Sequence, residues 1–225
     1  MGVRFLYNTA IEAITPAPGG KVSLKINEKE VLFDQVLATL PPKLLARTAP
    51  ALNKGYLDKL DALQSLGVVM LILSLKQQLS EKGYYWFNLP KSAGFPFLAL
   101  VEHTNYIPAS HFNGEHLIYC GDYLESSHEY FSLTREELIE RFVPSLKRIN
   151  PEFDRSWIKA SWLFRNPFAQ PVPLVNHSGN IPAIETPVKN LFFAGMSQVY
   201  PWDRGTNFAV ELGFKAAAIM QQAQN

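Results

Sequence analysis

The residues best suited to chemistry lie near the C-terminus. The apolar run Leu191-Phe192-Phe193-Ala194 ends at Gly195, and Tyr200-Pro201-Trp202-Asp203-Arg204 leads into Gly205-Thr206-Asn207-Phe208, where an Ala-rich helix should begin. A buried strand that feeds a loop and then a helix N-terminus offers unpaired N–H groups and the positive end of a helix dipole. Such an end can receive an anion or an electron-rich carbonyl, which makes this a candidate cofactor site. The same pattern also serves plain α/β packing, with Gly195 supplying only a positive-φ turn.

Other chemistries find less support. The five histidines, His103, His111, His116, His128 and His177, show no tight ligand spacing, and the single cysteine offers no thiol pair, so no metal site is expected. Cys120 sits in the apolar stretch Leu117-Ile118-Tyr119-Cys120-Gly121 and reads as a buried, inert thiol. Gly195-Met196-Ser197-Gln198-Val199 lacks the final glycine of a nucleophile elbow, and there is no phosphate-loop pattern. With 21 Lys and Arg against 20 Asp and Glu and no basic block, nucleic acid is not an expected partner. The start of the chain lacks a signal-like apolar region, and no apolar run is long enough to span a bilayer as a helix. A cytoplasmic protein is expected, with a peripheral membrane contact left open.

The elements that must position the C-terminal residues follow from periodicity. Val3 to Ile14 reads as extended, Pro16 to Gly20 as a turn and Lys21 to Ile26 as a strand. Val31 to Leu40 forms a further strand, stopped by Pro41-Pro42, which also opens a helix. Asn53 caps a helix with Leu57, Leu60, Leu63 and Leu66 at helical spacing, ended by Gly67. Val68–Leu75, Phe95–Val101, His116–Cys120 and Trp157–Phe164 favour strands of a mixed or antiparallel sheet. Thr134 and Glu137 form a capping box for a helix that Pro144 kinks or divides, and a last helix covers about Asn207 to Gln222. The expected fold class is α+β.

Phe193-Ala194-Gly195 followed by Ala209-Val210-Glu211-Leu212-Gly213 and Ala216-Ala217 resembles the closing motif of FAD-dependent amine oxidases, protoporphyrinogen oxidases and carotenoid desaturases. Val31-Leu32-Phe33-Asp34-Gln35-Val36-Leu37-Ala38-Thr39-Leu40-Pro41-Pro42 is similar to the strand by which these flavoproteins leave their FAD lobe. The Gly-x-Gly-x-x-Gly turn that holds the FAD diphosphate in that superfamily is absent from the sequence. The resemblance therefore implies the C-terminal portion of a larger flavoprotein. Residues 1–42 and 186–225 would belong to the FAD-binding lobe, and 43–185 to the substrate lobe.

It also implies roles. The backbone of Gly195 and Met196 would lie near the ribityl and diphosphate groups. The turn at Gly205, Thr206, Asn207 and Phe208 would face the pyrimidine carbonyl, and the backbone of Ile11 the adenine. Met196 stands where many relatives carry an acidic or hydroxyl side chain, and Phe208 where a small glycine is common, so a contact through the residue-196 side chain would be lost and the flavin ring crowded. Trp86, Trp162, Phe164, Tyr200 and Trp202 are candidates for a flat substrate wall, each also suited to core or rim packing. No catalytic base stands out.

The implied activity is hydride transfer from an apolar, aromatic or amine substrate to FAD, with the chain alone inactive and not retaining FAD. The expected partners are a small-molecule substrate, the missing N-terminal FAD-binding half and a second copy joined through exposed apolar surface. The alternative is a non-catalytic module that binds a hydrophobic ligand or a partner. A flavin-dependent sugar-nucleotide mutase shares the architecture, but its Arg and Tyr substrate motifs are not recognisable here.

Overall fold

The computed structural model describes residues 2–224. In chain order its strands and α-helices are β1 (Ile11–Pro16), β2 (Val22–Ile26), β3 (Lys29–Phe33), β4 (Val36–Ala38), α1 (Pro42–Thr48), α2 (Lys54–Ala62), β5 (Gln64–Leu75), β6 (Trp86–Asn88), β7 (Ala99–Glu102), β8 (His116–Leu124), α3 (Arg135–Phe142), β9 (Ile158–Val172), α4 (His177–Asn180), β10 (Leu191–Phe193) and α5 (Thr206–Gln222). The fold is α+β. The contacts divide it into two compact units, Met1–Gln64 with Pro171–Asn225, and Ser65–Gln170, whereas the lobes implied by the resemblance divide after residues 42 and 185.

The terminal unit is built from both ends of the chain. β1, β2 and β3 form an antiparallel meander. β4 pairs in parallel with β10, Val36 opposite Leu191, Leu37 opposite Phe192 and Ala38 opposite Phe193. A parallel pair is stable when both faces are covered, and alternation sends successive residues to opposite sides. Leu191 and Phe193 join Ile14, Val22, Leu45, Tyr56 and Leu60 in one core, while Phe192 joins Ile184, Ala194 and Ala216 in another, with Leu212, Ile219 and Met220 of α5 packed against it. Tyr56 is the first buried residue of α2, and its hydroxyl donates to the Ala183 carbonyl at 2.7 Å.

The second unit carries a five-stranded sheet in the order β6-β7-β8-β5-β9, with the β6/β7, β7/β8 and β5/β8 pairs antiparallel. One face is sealed: Val69, Leu71, Leu73, Leu75, Leu100, Ile118 and Cys120 pack against Leu138, Ile139, Phe142 and Leu146. Each large side chain buried in this way contributes on the order of 2 kcal/mol through removal of apolar surface from water. Thr134 and Glu137 close the predicted capping box on α3, and a 3-10 turn over Val143–Arg148 follows, so Pro144 does divide the helical pattern.

Four expectations change. The helix capped by Asn53 stops at Ala62, and Gly67 lies inside β5, where a Cβ would stand 2.5 Å from the Phe131 ring and 2.8 Å from the Asn166 carbonyl. Close approach, not helix termination, requires that glycine. The run from Val31 divides into β3, which pairs with β2, and β4, which pairs with β10, so one apolar stretch serves two sheets. Of Phe95–Val101 only Ala99 onward is strand, consistent with Pro96 lacking a ladder donor. At the start, regular pairing begins only at Ile11, after Asn8 with its φ of 52°.

Candidate functional site

In the terminal unit the chain leaves β10 through Ala194, whose N–H donates to the Ala38 carbonyl at 3.0 Å. Gly195 is extended, at φ −155°, so it does not supply the positive-φ turn of the plain-packing alternative. The turn is held instead by Gln198. Its Oε1 accepts the Gly195 N–H at 2.8 Å, and its Nε2 donates to the carbonyls of Pro182 and Phe193 at 3.0 and 3.2 Å. Behind it the buried His177 ring lies with Nε2 3.0 Å from the Ser197 carbonyl and its centroid 5.2 Å from Tyr200. Nothing in the sequence marked His177 or Gln198 as the braces of this turn, because both act through backbone carbonyls and N–H groups brought near by folding.

After the cis Tyr200–Pro201 bond, Trp202 stacks on Phe208, with centroids 6.2 Å apart and planes 8° from parallel. Helix α5 then starts at Thr206 with Gly205 as N-cap and without a side-chain cap, and its first ladder bond runs from Ala209 N–H to the Gly205 carbonyl. The N–H groups of Thr206, Asn207 and Phe208 thus precede the helical ladder, where the macrodipole favours negative charge. A Cβ on residue 205 would meet Asn207 Oδ1 at 2.6 Å, so glycine makes room for the Asn207 side chain at this end. Ser197 is buried, and its hydroxyl has no hydrogen-bond partner among the described residues.

These features fit a group that carries oxygen acceptors, as the flavin pyrimidine carbonyls and the FAD diphosphate do. Gly195, Met196, Tyr200, Trp202, Gly205, Thr206, Asn207 and Phe208 share one strand–turn–helix segment. Ile11 opens β1 and packs against the cluster that contains Phe193. Tyr200, Trp202 and Phe208 line a small cavity of about 210 Å³ with Glu211 and Lys215. The Phe208 ring is stacked on Trp202 in the lining of this cavity.

The second unit holds a groove of about 700 Å³ on the sheet face opposite its core. Its floor is Val68 and Met70 from β5, Ala99 and Val101 from β7, and Tyr119, Gly121 and Tyr123 from β8; Tyr85 and Trp86 form a wall. At Gly121 a Cβ would meet the Met70 side chain at 2.5 Å, so the missing side chain lets Met70 lie flat across the floor. Trp86 Nε1 donates to Asn88 Oδ1 at 2.8 Å, which fixes the indole. Of the five wall candidates only Trp86 lines this groove. Trp162 and Phe164, both exposed on β9, are not among its lining residues, and Tyr200 and Trp202 belong to the other unit. The strand expected over His116–Cys120 runs on to Leu124, which adds Gly121 and Tyr123 to the face of Tyr119.

Burial shifts several ionisable groups. The Cys120 thiol, fully enclosed, is pushed well above the usual thiol range, which agrees with an inert core cysteine. Burial raises the Asp122 carboxyl, partly offset by the Tyr123 backbone and by the charges of Lys91 and His128. Glu102 is raised by burial as well, although it accepts the Leu79 and Ser80 N–H groups at 2.7 and 2.8 Å and Asn105 Nδ2 at 2.9 Å. That carboxylate ties a loop to β7 and is satisfied by the fold itself.

Comparison with known proteins agrees with this architecture. The family described as flavin containing amine oxidoreductase matches residues 1–221. A proposed protoporphyrinogen oxidase of Exiguobacterium sp. 255-15 superposes with a TM-score of 0.70 at 15% identity, over 95% of this chain and 47% of that one. An oxidoreductase of Methanosarcina mazei gives a TM-score of 0.64 at 20% identity, over 95% of this chain and 49% of that one. The chain thus spans about half the length of these solved structures, and at such identities they report the fold alone. No curated protein matches the sequence. No helix among the described residues is long and apolar enough to cross a membrane.

Proposed function

Because the chain belongs to the flavin-containing amine oxidoreductase family, we propose that it supplies the substrate lobe and the closing part of the FAD-binding lobe of an FAD-dependent oxidoreductase. The observation that carries this reading is the N-terminus of α5, whose first N–H groups precede the helical ladder, at the end of a turn segment in which the Ser197 hydroxyl is buried and unpartnered among the described residues. Bound FAD would supply the acceptor for a hydride from an apolar, aromatic or amine substrate, as in protoporphyrinogen-oxidase-like or amine-oxidase-like chemistry. The N–H groups of Thr206, Asn207 and Phe208 would face the pyrimidine edge, where negative charge grows on reduction. The backbone of Gly195 and Met196 would run beside the ribityl chain, and that of Ile11 beside the adenine. The groove floored by Met70 and Gly121 would hold the substrate flat and keep water from it.

No Gly-x-Gly-x-x-Gly turn is present to hold the diphosphate. The reading therefore includes a companion segment that carries this turn and packs on the terminal unit. The exposed side chains of Val210 and Phe214 on α5, 53% and 74% accessible, support that assembly. The test is a titration with FAD followed by its visible spectrum, with and without a polypeptide that carries the dinucleotide-binding half of a family member. Flavin retained only with the companion is the expected result. No retention by two folded partners would sink the cofactor reading and leave a non-catalytic module that binds a hydrophobic ligand or a partner.

A further inference from the structure

The groove of the second unit is lined mainly by apolar and aromatic side chains; of its other polar members Asn88 accepts the Trp86 Nε1–H and Asp122 accepts the Tyr123 N–H, and an imidazole, that of His103, enters the lining as well. His103 opens the short 3-10 turn after β7. Its ring is clamped edge-to-face by Phe112 at 5.5 Å and by Tyr119 at 5.7 Å, with interplanar angles of 73° and 61°. Neither ring nitrogen has a hydrogen-bond partner among the described residues. The residues on either side are fully engaged: Glu102 takes three donors, and the Thr104 hydroxyl accepts the Leu117 N–H at 3.1 Å. The fold therefore anchors the backbone at His103 and fixes its ring by aromatic contacts, leaving the hydrogen-bonding capacity of the nitrogens unused.

Ligand sites are usually apolar chambers with a few placed polar groups that set orientation, and a volume of about 700 Å³ lies within their ordinary range. Aromatic walls favour a flat, unsaturated ring system. The lining contains no lysine or arginine, so nothing in it compensates a ligand's negative charges. We infer that His103 is the specificity-determining residue of this groove, and that the ligand is a planar apolar ring compound with one hydroxyl or amine group that hydrogen-bonds to the imidazole. This rests on the groove being the substrate wall of the function proposed above.

The test compares 2-naphthol with 2-methylnaphthalene, two probes of similar size and shape that differ in the hydrogen-bonding group. Binding to the full chain is read from the Met70 methyl resonance, at the floor of the groove. 2-Naphthol is expected to bind about five- to tenfold more tightly, the effect of one additional net hydrogen bond. His103→Phe should bring the two affinities together while still binding 2-methylnaphthalene, which shows that the groove is intact. His103→Gln, with an amide in place of the imidazole, should keep part of the preference; it provides the second reading if the Phe variant does not fold. Equal affinities in the wild type, a preference that survives both substitutions, or no movement of Met70 with either probe would each overturn the inference. These measurements use no flavin, so a failed FAD titration and a failed probe preference remain separable results.

Discussion

Two glycines show how a residue's meaning depends on what stands opposite it. Gly67 faces main chain at Asn166 and Pro167 as well as the Phe131 ring, whereas Gly213 on α5 has nothing within 4 Å of its missing Cβ. Gly67→Ala should therefore lose about 1–3 kcal/mol, because backbone cannot yield as a flexible side chain does. Gly213→Ala should gain up to about 1 kcal/mol through helix propensity. Urea denaturation of both variants checks the contrast, and equal effects would contradict it. Asp122 behaves differently again. Burial disfavours its charged form in the folded chain, so its contribution to stability is greatest at acid pH and is lost as pH rises through the raised value. The melting temperature of the wild type should thus fall relative to that of Asp122→Asn from about pH 4 upward; a constant difference would argue against the burial account.

Elements were legible where local signals and tertiary demands agreed. The Thr134 box, the Asn53 cap and the Pro41-Pro42 helix start appear as expected because each is satisfied within a few residues. The division between β3 and β4 was not legible, since both halves are apolar and only their partners, β2 and β10, differ. The α5 helix was expected from its alanines, but its two faces were not. Leu212, Ala216, Ile219 and Met220 turn inward, while Val210 and Phe214, one turn apart, turn outward. Phe214→Lys should leave the stability of the chain within about 0.5 kcal/mol, as expected of an exposed position. It should also weaken the FAD retention gained with the companion segment. Calorimetry and the flavin titration measure the two effects side by side, and undiminished retention would remove α5 from the proposed interface.

For the whole molecule, the family was readable from two motifs at opposite ends of the chain, whereas the groove was not. Its floor is assembled from β5, β7 and β8, whose register joins Met70 to Gly121 and Val101 to Tyr119 across many intervening residues. The same long-range logic governs the terminal unit, where β4 finds β10 only after the entire middle of the chain has intervened. During synthesis the segment from Ser65 to Gln170 is complete, and able to bury its own core, before the ribosome has made Leu191. The meander of β1 to β3 can form early, but the core around Phe193 waits for β10, and the core around Phe192 cannot close until the last helix emerges. The turn at Gly195 and the start of α5 are therefore late products of translation, and the terminal unit waits with part of its apolar surface uncovered until they arrive.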